Sequence, residues 1–294
     1  MSIVTRAHTL KILSMKPLER EPIMSPSPQY FNSSQGRVAH WTVGSGPDLV
    51  LVHGTPASSY VWHRVVEKLQ ASWRIFLYDL PGYGISDQFE GQDVRLRSQA
   101  KVLAELLRHW GLDRPRIVGH DFGAAAVMGA HLVEGCPVRD LVIADGVVLN
   151  PWGTPYSLLI QQNIEVFKQI PPHIHVAALA EHLRGTTSRR LSEAELAPLL
   201  APMIGERGQK AYYRQVEQYD HDFTARLETL YPKVAVPLSV LWGEEDRWIP
   251  IAQGERFAGL VPGATFTRLP DAGHFLMLDC PNTVAGLIDR EIAS

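Results

Sequence analysis

The chain has 294 residues, of which 45% are hydrophobic and 20% charged, which suits one α/β domain with an insertion or two average globular domains. Its formal net charge of −3 gives no reason to expect nucleic acid or an anionic membrane surface as a partner. The two cysteines, Cys136 and Cys280, are too few for a disulfide framework and lie in no metal-binding motif, so reduced thiols in a cytoplasmic protein are expected.

The N-terminal segment, residues 1–30, ends in "MSPSPQY" and is predicted to be poorly ordered. It contains no apolar run long enough for a secretory signal. No later run reaches the roughly 18 apolar residues that a membrane span needs. The sequence therefore predicts neither secretion nor a membrane partner.

From about residue 36, short apolar runs alternate with helical patterns. The runs are rich in β-branched residues and are bounded by Gly, Pro or Asp, which is typical of buried strands. Predicted strands cover 48–54, 73–80, 115–121, 138–146, 236–246 and 264–274, and predicted helices cover 58–70, 94–111, 122–135, 250–260 and 281–293. This repetition predicts an α/β fold with a mostly parallel central sheet flanked by helices.

The alternation stops at residues 150–232, where the patterns are helical and no convincing strand occurs. The prediction is an α/β core domain over residues 31–149 and 233–294, interrupted by a helical cap over residues 150–232. Sites in such sheets lie at the carboxyl ends of the strands, so an insertion there would cover the site.

The stretch "VGHDFG" (118–123) indicates a strand-to-helix turn. Gly119 and Gly123 flank Asp121 with the spacing of a nucleophile elbow, and an aspartate stands where many hydrolases carry serine. Asp246 and His274 follow at the ends of two later predicted strands. One strand-end acid alone would indicate a helix cap, but the order nucleophile, acid, histidine is that of the α/β-hydrolase fold.

With these residues the sequence resembles the aspartate-nucleophile branch of the α/β-hydrolase superfamily, which includes epoxide hydrolases, haloalkane dehalogenases and fluoroacetate dehalogenases. The resemblance covers about residues 36–294. The motifs that carry it are "HGTP" (53–56), "DLPGYGISD" (79–87), "VGHDFGAA" (118–125), "LWGEEDRWIP" (241–250) and "DAGHF" (271–275). They are specific for the fold and the triad, and less specific for the reaction.

An aspartate nucleophile restricts the substrate. A carboxylate that attacks a carbonyl forms an anhydride, whereas attack on a tetrahedral carbon with a leaving group forms an ordinary ester. Asp121 therefore predicts an alkyl-enzyme ester, cleaved by water that His274 activates while Asp246 orients the histidine. The backbone N–H groups of Thr55 and Phe122 are predicted to hold the oxyanion of the second step.

Other acids compete with Asp246. Glu244 and Glu245 precede it and are expected to face solvent. Asp145 ends the strand after the elbow, where some dehalogenases carry their acid. The family pattern W-G-x-x-D favours Asp246.

The reaction class depends on the donors that face the leaving group. An epoxide oxygen needs an acid or a hydrogen-bond donor, whereas a halide is held by N–H groups in a dry pocket. Haloalkane dehalogenases typically carry Trp after the nucleophile and either Asn after "HG" or a second Trp. Here those positions hold Phe122 and Thr55, which have no side-chain N–H, and this departure counts against a haloalkane dehalogenase.

Tyrosines in the predicted cap favour an epoxide hydrolase. Tyr213 precedes Arg214 and so matches the Y-R pair that carries a cap tyrosine in that family. Tyr156 is the candidate for the second proton donor, with His173 or His175 as the alternative.

A fluoroacetate dehalogenase would carry arginine just after the nucleophile, and "DFGAAAVMGAH" has none, so a small carboxylate substrate is disfavoured. In the family that the chain resembles, the bond before Pro56 is cis. The residues expected to shape the pocket and its loop are His53, Pro56, Phe122, Val147, Trp152 and Leu158.

The sequence therefore predicts a hydrolase without a cofactor that opens an epoxide of a small, mostly apolar molecule to a diol with water. Dehalogenation by the same nucleophile is the alternative, and a non-hydrolytic lyase or ligand-binding member of the fold is the alternative of another class. The sequence shows no metal-ligand cluster and no dinucleotide-binding glycine loop. A monomer or a homodimer is expected.

Overall fold

The computed structural model describes residues 27–290, and one eight-stranded sheet forms its centre. The strands are β1 (Gln29–Ser33), β2 (Gly36–Val43), β3 (Asp48–Val52), β4 (Arg74–Tyr78), β5 (Arg116–His120), β6 (Asp140–Ala144), β7 (Leu238–Gly243) and β8 (Thr265–Leu269). Strand β1 overlaps the end of the N-terminal segment that the sequence predicts to be poorly ordered. Residues 1–26 of that segment lie outside the described residues.

The strand order is β1-β2-β4-β3-β5-β6-β7-β8. Strand β2 pairs antiparallel with β1 and β4, and all pairings from β4 to β8 are parallel. The predicted mostly parallel sheet is confirmed. The sequence interpretation missed β1 and β2, because an antiparallel hairpin at the sheet edge stands outside the strand–helix repeat.

Helices cover both faces of the sheet. In the core they are α1 (His63–Leu69), α2 (Leu96–His109), α3 (Phe122–Leu132), α10 (Ile251–Leu260), α11 (Leu276–Asp279) and α12 (Pro281–Asp289). Alternate residues of β3 enter two apolar clusters, with Leu49 and Leu51 in one and Val50 and Val52 in the other. Because neighbouring residues of a strand point to opposite faces of the sheet, one cluster lies on each face.

Between β6 and β7 the chain forms helices and loops without a strand. These helices are α4 (Pro155–Gln162), α5 (Ile164–Phe167), α6 (Pro172–Arg184), α7 (Glu193–Leu200), α8 (Gly205–Glu217) and α9 (His221–Glu228). Side-chain caps fix three of their starts, at Thr154, Ser192 and Asp220. Within residues 27–290, no helix has the length and apolar character needed to cross a membrane.

The turn from β5 into α3 gives Asp121 a backbone φ of 51° and ψ of −119°, a conformation that residues other than glycine rarely adopt. The backbone packs closely around this turn. A Cβ atom on Gly119 would lie 2.7 Å from the carbonyl oxygen of Gly123, and one on Gly123 would lie 2.4 Å from the carbonyl oxygen of Val52. Glycine at both positions therefore lets α3 begin directly against β3.

We expect Gly123→Ala to lower the free energy of unfolding by about 1–3 kcal/mol, because its methyl group would meet strand backbone that cannot move aside. The matched control is Gly286→Ala in α12, where an added Cβ meets no atom within 4 Å. That control should be neutral or stabilise the protein by up to about 1 kcal/mol. Urea unfolding of both variants checks the prediction, and equal stability of the two would contradict the close approach.

Candidate active site

Loops after β5, β7 and β8 bring Asp121, Asp246 and His274 together. His274 Nδ1 lies 2.9 Å from Asp246 Oδ2, and His274 Nε2 lies 3.5 Å from Asp121 Oδ2. All three side chains are buried. Residues from three distant parts of the sequence thus form one line of carboxylate, imidazole and carboxylate at the carboxyl edge of the sheet.

The two carboxylate oxygens of Asp121 have different surroundings. Oδ1 accepts a hydrogen bond from the backbone N–H of Thr55 at 2.6 Å, whereas Oδ2 faces His274. Phe122 is the first residue of α3, so its N–H has no acceptor within the helix. This arrangement can stabilise negative charge on Oδ1 while Oδ2 reacts.

Asp246 and Asp145 differ in their contacts with the histidine. The Oδ1 atom of Asp246 accepts hydrogen bonds from the backbone N–H groups of Trp248 and Ile249, at 2.7 and 3.0 Å, and Oδ2 faces His274. Asp145 accepts a bond from the N–H of Gly243 at 2.9 Å and makes none to His274. Burial, reinforced by the charge of Asp246, raises the pKa of Asp145 well above its usual value. A carboxyl group that stays neutral is poorly suited to hold an imidazolium, and Glu244 and Glu245 are exposed.

The position of His274 between two carboxylates sets its charge. Burial alone would lower the pKa of His274, but Asp246 and Asp121 outweigh that effect and raise it to about 10. At neutral pH the resting residue is therefore an imidazolium. It becomes a base only when one neighbouring negative charge is removed.

Comparison with known proteins agrees with this architecture. Residues 49–287 match the family described as "Alpha/beta hydrolase family". The chain belongs to this family. An alpha/beta hydrolase fold protein from Burkholderia ambifaria has a TM-score of 0.86 and 37% identity, covering 89% of this chain and 97% of that chain. The predicted membership of the α/β-hydrolase superfamily is thus confirmed.

Two curated relatives of this alpha/beta hydrolase carry different names. "Haloalkane dehalogenase 2" of Mycobacterium tuberculosis is 26% identical over 282 residues, covering 90% of this chain and 96% of that protein. A "2-hydroxy-6-oxononadienedioate/2-hydroxy-6-oxononatrienedioate hydrolase" of Burkholderia vietnamiensis is 26% identical over 251 residues, covering 81% and 85%. The structure of an ancestral haloalkane dehalogenase, at 22% identity and a TM-score of 0.71, covers 88% of this chain and 98% of that chain and shows the shared fold.

A small cavity lies above Asp121 in this hydrolase. Its volume is about 30 Å³. The rings of Phe122, Trp152 and Tyr219 pack together beside it with centroids 5.0–5.3 Å apart. The lining residues are Thr55, Pro56, Asp121, Phe122, Val147, Trp152, Gly153, Thr154, Ser157, His182, Tyr212, Tyr219, Trp248 and Ile249. The cavity is therefore lined by residues of both the core and the inserted segment.

The predicted pocket residues divide into two groups. Pro56 and Trp152 line the cavity, and the bond between Thr55 and Pro56 is cis as expected. The indole N–H of Trp152 donates to Thr224 Oγ1 at 3.0 Å and so is already occupied. His53 does not line the cavity, which corrects the prediction.

His53 instead ties two loops together. Its Nδ1 lies 2.8 Å from the carbonyl oxygen of Gly54, and its Nε2 accepts from the N–H of Leu80 at 2.9 Å. Leu158 also lies outside the lining, and packs beside Gly153.

The predicted cap donors are corrected as well. The hydroxyl of Tyr213 lies 3.0 Å from His175 Nδ1, outside the cavity lining. Because His175 Nε2 donates to the carbonyl oxygen of Met203, His175 Nδ1 accepts a hydrogen bond from the hydroxyl group of Tyr213. Tyr156 packs on His182, with ring centroids 4.9 Å apart, and does not line the cavity either.

Several lining residues were not among the predicted site residues: Gly153, Thr154, Ser157, His182, Tyr212, Tyr219, Trp248 and Ile249. Adjacent helix residues point about 100° apart, so Tyr212 faces inward where Tyr213 faces away. Tyr219 lies beyond the end of α8 at Glu217, so no helical spacing in the sequence marks it as a neighbour of Tyr212. Burial, and then the charge of Asp121, raises the pKa of Tyr219, whose phenol therefore stays protonated.

We expect Asp121→Asn and Asp246→Asn each to lower the pKa of His274 by about one unit or more, because each removes a neighbouring negative charge. Asp145→Asn should change it less, since that carboxyl group is already neutral. NMR titration of the His274 ring checks this without a substrate. A larger effect of Asp145→Asn would assign the acid to Asp145.

The same pKa predicts how stability depends on pH. In the folded protein the pKa of His274 is about 10, above the ordinary value of 6.5. The contribution of protonated His274 to the free energy of unfolding is therefore complete below pH 6.5. It is lost as the pH rises through 10. The free energy of unfolding of the wild-type protein, measured as a function of pH, should fall over this range. Asp121→Asn should show a smaller fall, because it lacks one of the charges that raise the pKa of His274.

Proposed function

We propose that this hydrolase opens an epoxide to a diol through an alkyl-enzyme ester on Asp121. The observation that carries the proposal is the pair of distinct oxygens on Asp121, one held by Thr55 and one facing His274, in a cavity that Tyr219 also lines. A carboxylate with one oxygen fixed by a backbone N–H and the other free is suited to attack an sp3 carbon.

In the first step, Asp121 Oδ2 attacks an epoxide carbon, the ring C–O bond breaks and its electron pair passes to the oxygen. Tyr219 donates a hydrogen bond to the developing alkoxide, which is why a protonated phenol near the nucleophile is useful. Esterification removes the charge of Asp121, so the pKa of His274 falls and its imidazolium gives up a proton. That proton neutralises the alkoxide, directly or by way of the phenol. The products are a neutral hydroxyalkyl ester and a neutral imidazole.

In the second step, neutral His274 takes a proton from water as the water oxygen attacks the ester carbon of Asp121. The charge that develops on Oδ1 is held by the N–H of Thr55, together with that of Phe122. Collapse of the intermediate breaks the bond to the alcohol oxygen, and the proton of the new carboxylic acid passes to it. The diol leaves, and the carboxylate and imidazolium of the resting enzyme are restored.

Dehalogenation is the second candidate, favoured by the relative named haloalkane dehalogenase. The same nucleophile, base and acid would serve it, but the leaving group would be a halide. The donors in the cavity weigh against it, because Phe122 has no side-chain N–H and the indole N–H of Trp152 is bonded to Thr224. Tyr212 and Tyr219, which carry hydroxyl groups, line the cavity instead, whereas the hydroxyl of the lining residue Ser157 already donates to the carbonyl oxygen of Thr154 at 3.0 Å.

We expect wild-type protein in ¹⁸O-labelled water to convert a small terminal epoxide to its diol and to incorporate label into the peptide that contains residue 121. Label enters because water attacks the carboxyl carbon rather than the substrate carbon. Asp121→Asn should lose both signals, and His274→Gln should accumulate protein heavier by the mass of the epoxide. Product analysis and intact-protein mass spectrometry provide the measurements.

A bromoalkane of similar size serves as the paired substrate. Bromide release with the same labelling would identify the enzyme as a dehalogenase rather than an epoxide hydrolase. Neither product nor label from folded wild-type protein would contradict the nucleophilic role of Asp121. That outcome would favour a lyase or a ligand-binding role.

We expect Tyr219→Phe to lower the rate of ester formation from the epoxide by about 10²–10⁴-fold, because the alkoxide loses its donor. Tyr213→Phe is the matched control on the same segment. It should keep the rate and cost about 1 kcal/mol of stability through the lost bond to His175. Single-turnover kinetics and thermal unfolding separate the two effects. Equal rates for the two variants would exclude Tyr219 as the donor.

A further inference from the structure

Three aromatic rings connect the inserted helices with the candidate base. The indole of Trp248 stacks on His274, with centroids 5.0 Å apart and 30° between the planes. The same indole stacks on His182 of α6, at 4.2 Å and 15°. We call His182, Trp248 and His274 the ring stack.

Trp248 also contacts the acid through its backbone. Its N–H donates to Asp246 Oδ1 at 2.7 Å, while the other carboxylate oxygen holds His274. One residue therefore touches the acid with its main chain and the base with its ring. Trp248 and His182 also line the cavity above Asp121.

We propose that Trp248 is a positioning residue for His274, which holds the imidazole in the plane where Nε2 faces Asp121 and favours its protonated form. An aromatic face attracts a cation stacked on it, and the attraction is larger where water is excluded. His274 is fully buried, so both conditions hold. The inference rests on the proposed function, because it assigns Trp248 to the base of that reaction.

The titratable groups around His274 come from several elements. Asp121, Asp145 and Asp246 face it from the ends of β5, β6 and β7. The rings of His120, in β5, and His274 have centroids 4.8 Å apart, and His120 Nε2 lies 2.8 Å from the carbonyl oxygen of His274. Burial and the charge of His274 lower the pKa of His120 to about 3. Trp248, unlike these neighbours, has no titratable side chain. Replacing it alters His274 without removing a charge.

The indole ring of Trp248 contributes more to hydrolysis of the ester than to its formation. His274 gains a proton as water attacks the ester, and the indole stabilises that developing cation. In the first step His274 loses its proton, so the indole gives no comparable assistance. Loss of the ring should therefore slow hydrolysis of the ester more than its formation.

The test compares Trp248→Leu with Trp248→Phe, both of which keep the backbone N–H that donates to Asp246. Leucine removes the aromatic face but keeps apolar volume, so little water enters to offset the change. We expect Trp248→Leu to lower the His274 protonation constant and the rate of ester hydrolysis by about three- to thirtyfold, with a smaller effect on ester formation. Trp248→Phe should retain most of both.

His182→Ala should give a weaker loss in the same direction, because the indole would keep one stacked neighbour. His63→Ala is its control, since that ring stacks on Tyr60 at 4.3 Å away from the cavity lining and should leave His274 unchanged. The measurements are NMR titration without substrate and single-turnover kinetics of ester formation and decay.

Unchanged titration and unchanged ester decay in folded Trp248→Leu would overturn the proposal. The proposal would also be overturned if the Leu and Phe variants lost equal amounts of ester-hydrolysis rate and these losses followed their thermal stability. Trp248 would then contribute only to packing. Failure of the proposed function looks different, because wild type would then form no ester. The titration would still report on the ring stack.

Discussion

The turn at Asp121 is the constraint on which the rest of the structure depends. Its positive φ is compatible with the fold because Gly119 and Gly123 let the backbone of α3 and β3 approach to distances that no Cβ atom would permit. The backbone N–H of Val147 holds the carbonyl oxygen of Asp121 at 3.0 Å, which fixes the turn to the loop after β6. The side chain is thereby lifted above the sheet edge, where Thr55 can reach one of its oxygens.

The charges at the site follow from that placement. A buried imidazole next to one carboxylate would be balanced between burial and attraction, but two carboxylates keep His274 protonated to about pH 10. Under the proposed mechanism, alkylation of Asp121 cancels one of those charges and converts the residue into a base at the moment a base is needed. Asp145, neutral in the same shell, adds no charge that would prevent the change.

The sequence predicted the core well because the core is governed by repeating patterns. Buried parallel strands and the elbow spacing around Asp121 are local signals, and chain order together with the family pattern W-G-x-x-D indicated Asp246 and His274. The donors from the inserted helices could not be read in this way, because one residue along a helix turns a side chain by about 100°. Tyr213 has the family motif but bonds to His175, whereas Tyr212 faces the cavity. His53 was expected to shape both the pocket and its loop, and it holds the loop without lining the cavity.

Core and inserted helices contribute different chemistry to the cavity. The core supplies the charged line and the backbone donors, which under the proposed mechanism would serve any sp3 electrophile. The inserted helices and the loops that join them supply Tyr212, Tyr219 and Trp152, which under the proposed function would select the leaving group and the size of the substrate. Because the cavity, with a volume of about 30 Å³, is far smaller than the roughly 300–1,000 Å³ of typical ligand pockets, a drug-sized substrate would need part of the aromatic cluster or the helices to move. Since His182 stacks on Trp248, such opening would also loosen the support of the base, which couples substrate entry to catalysis.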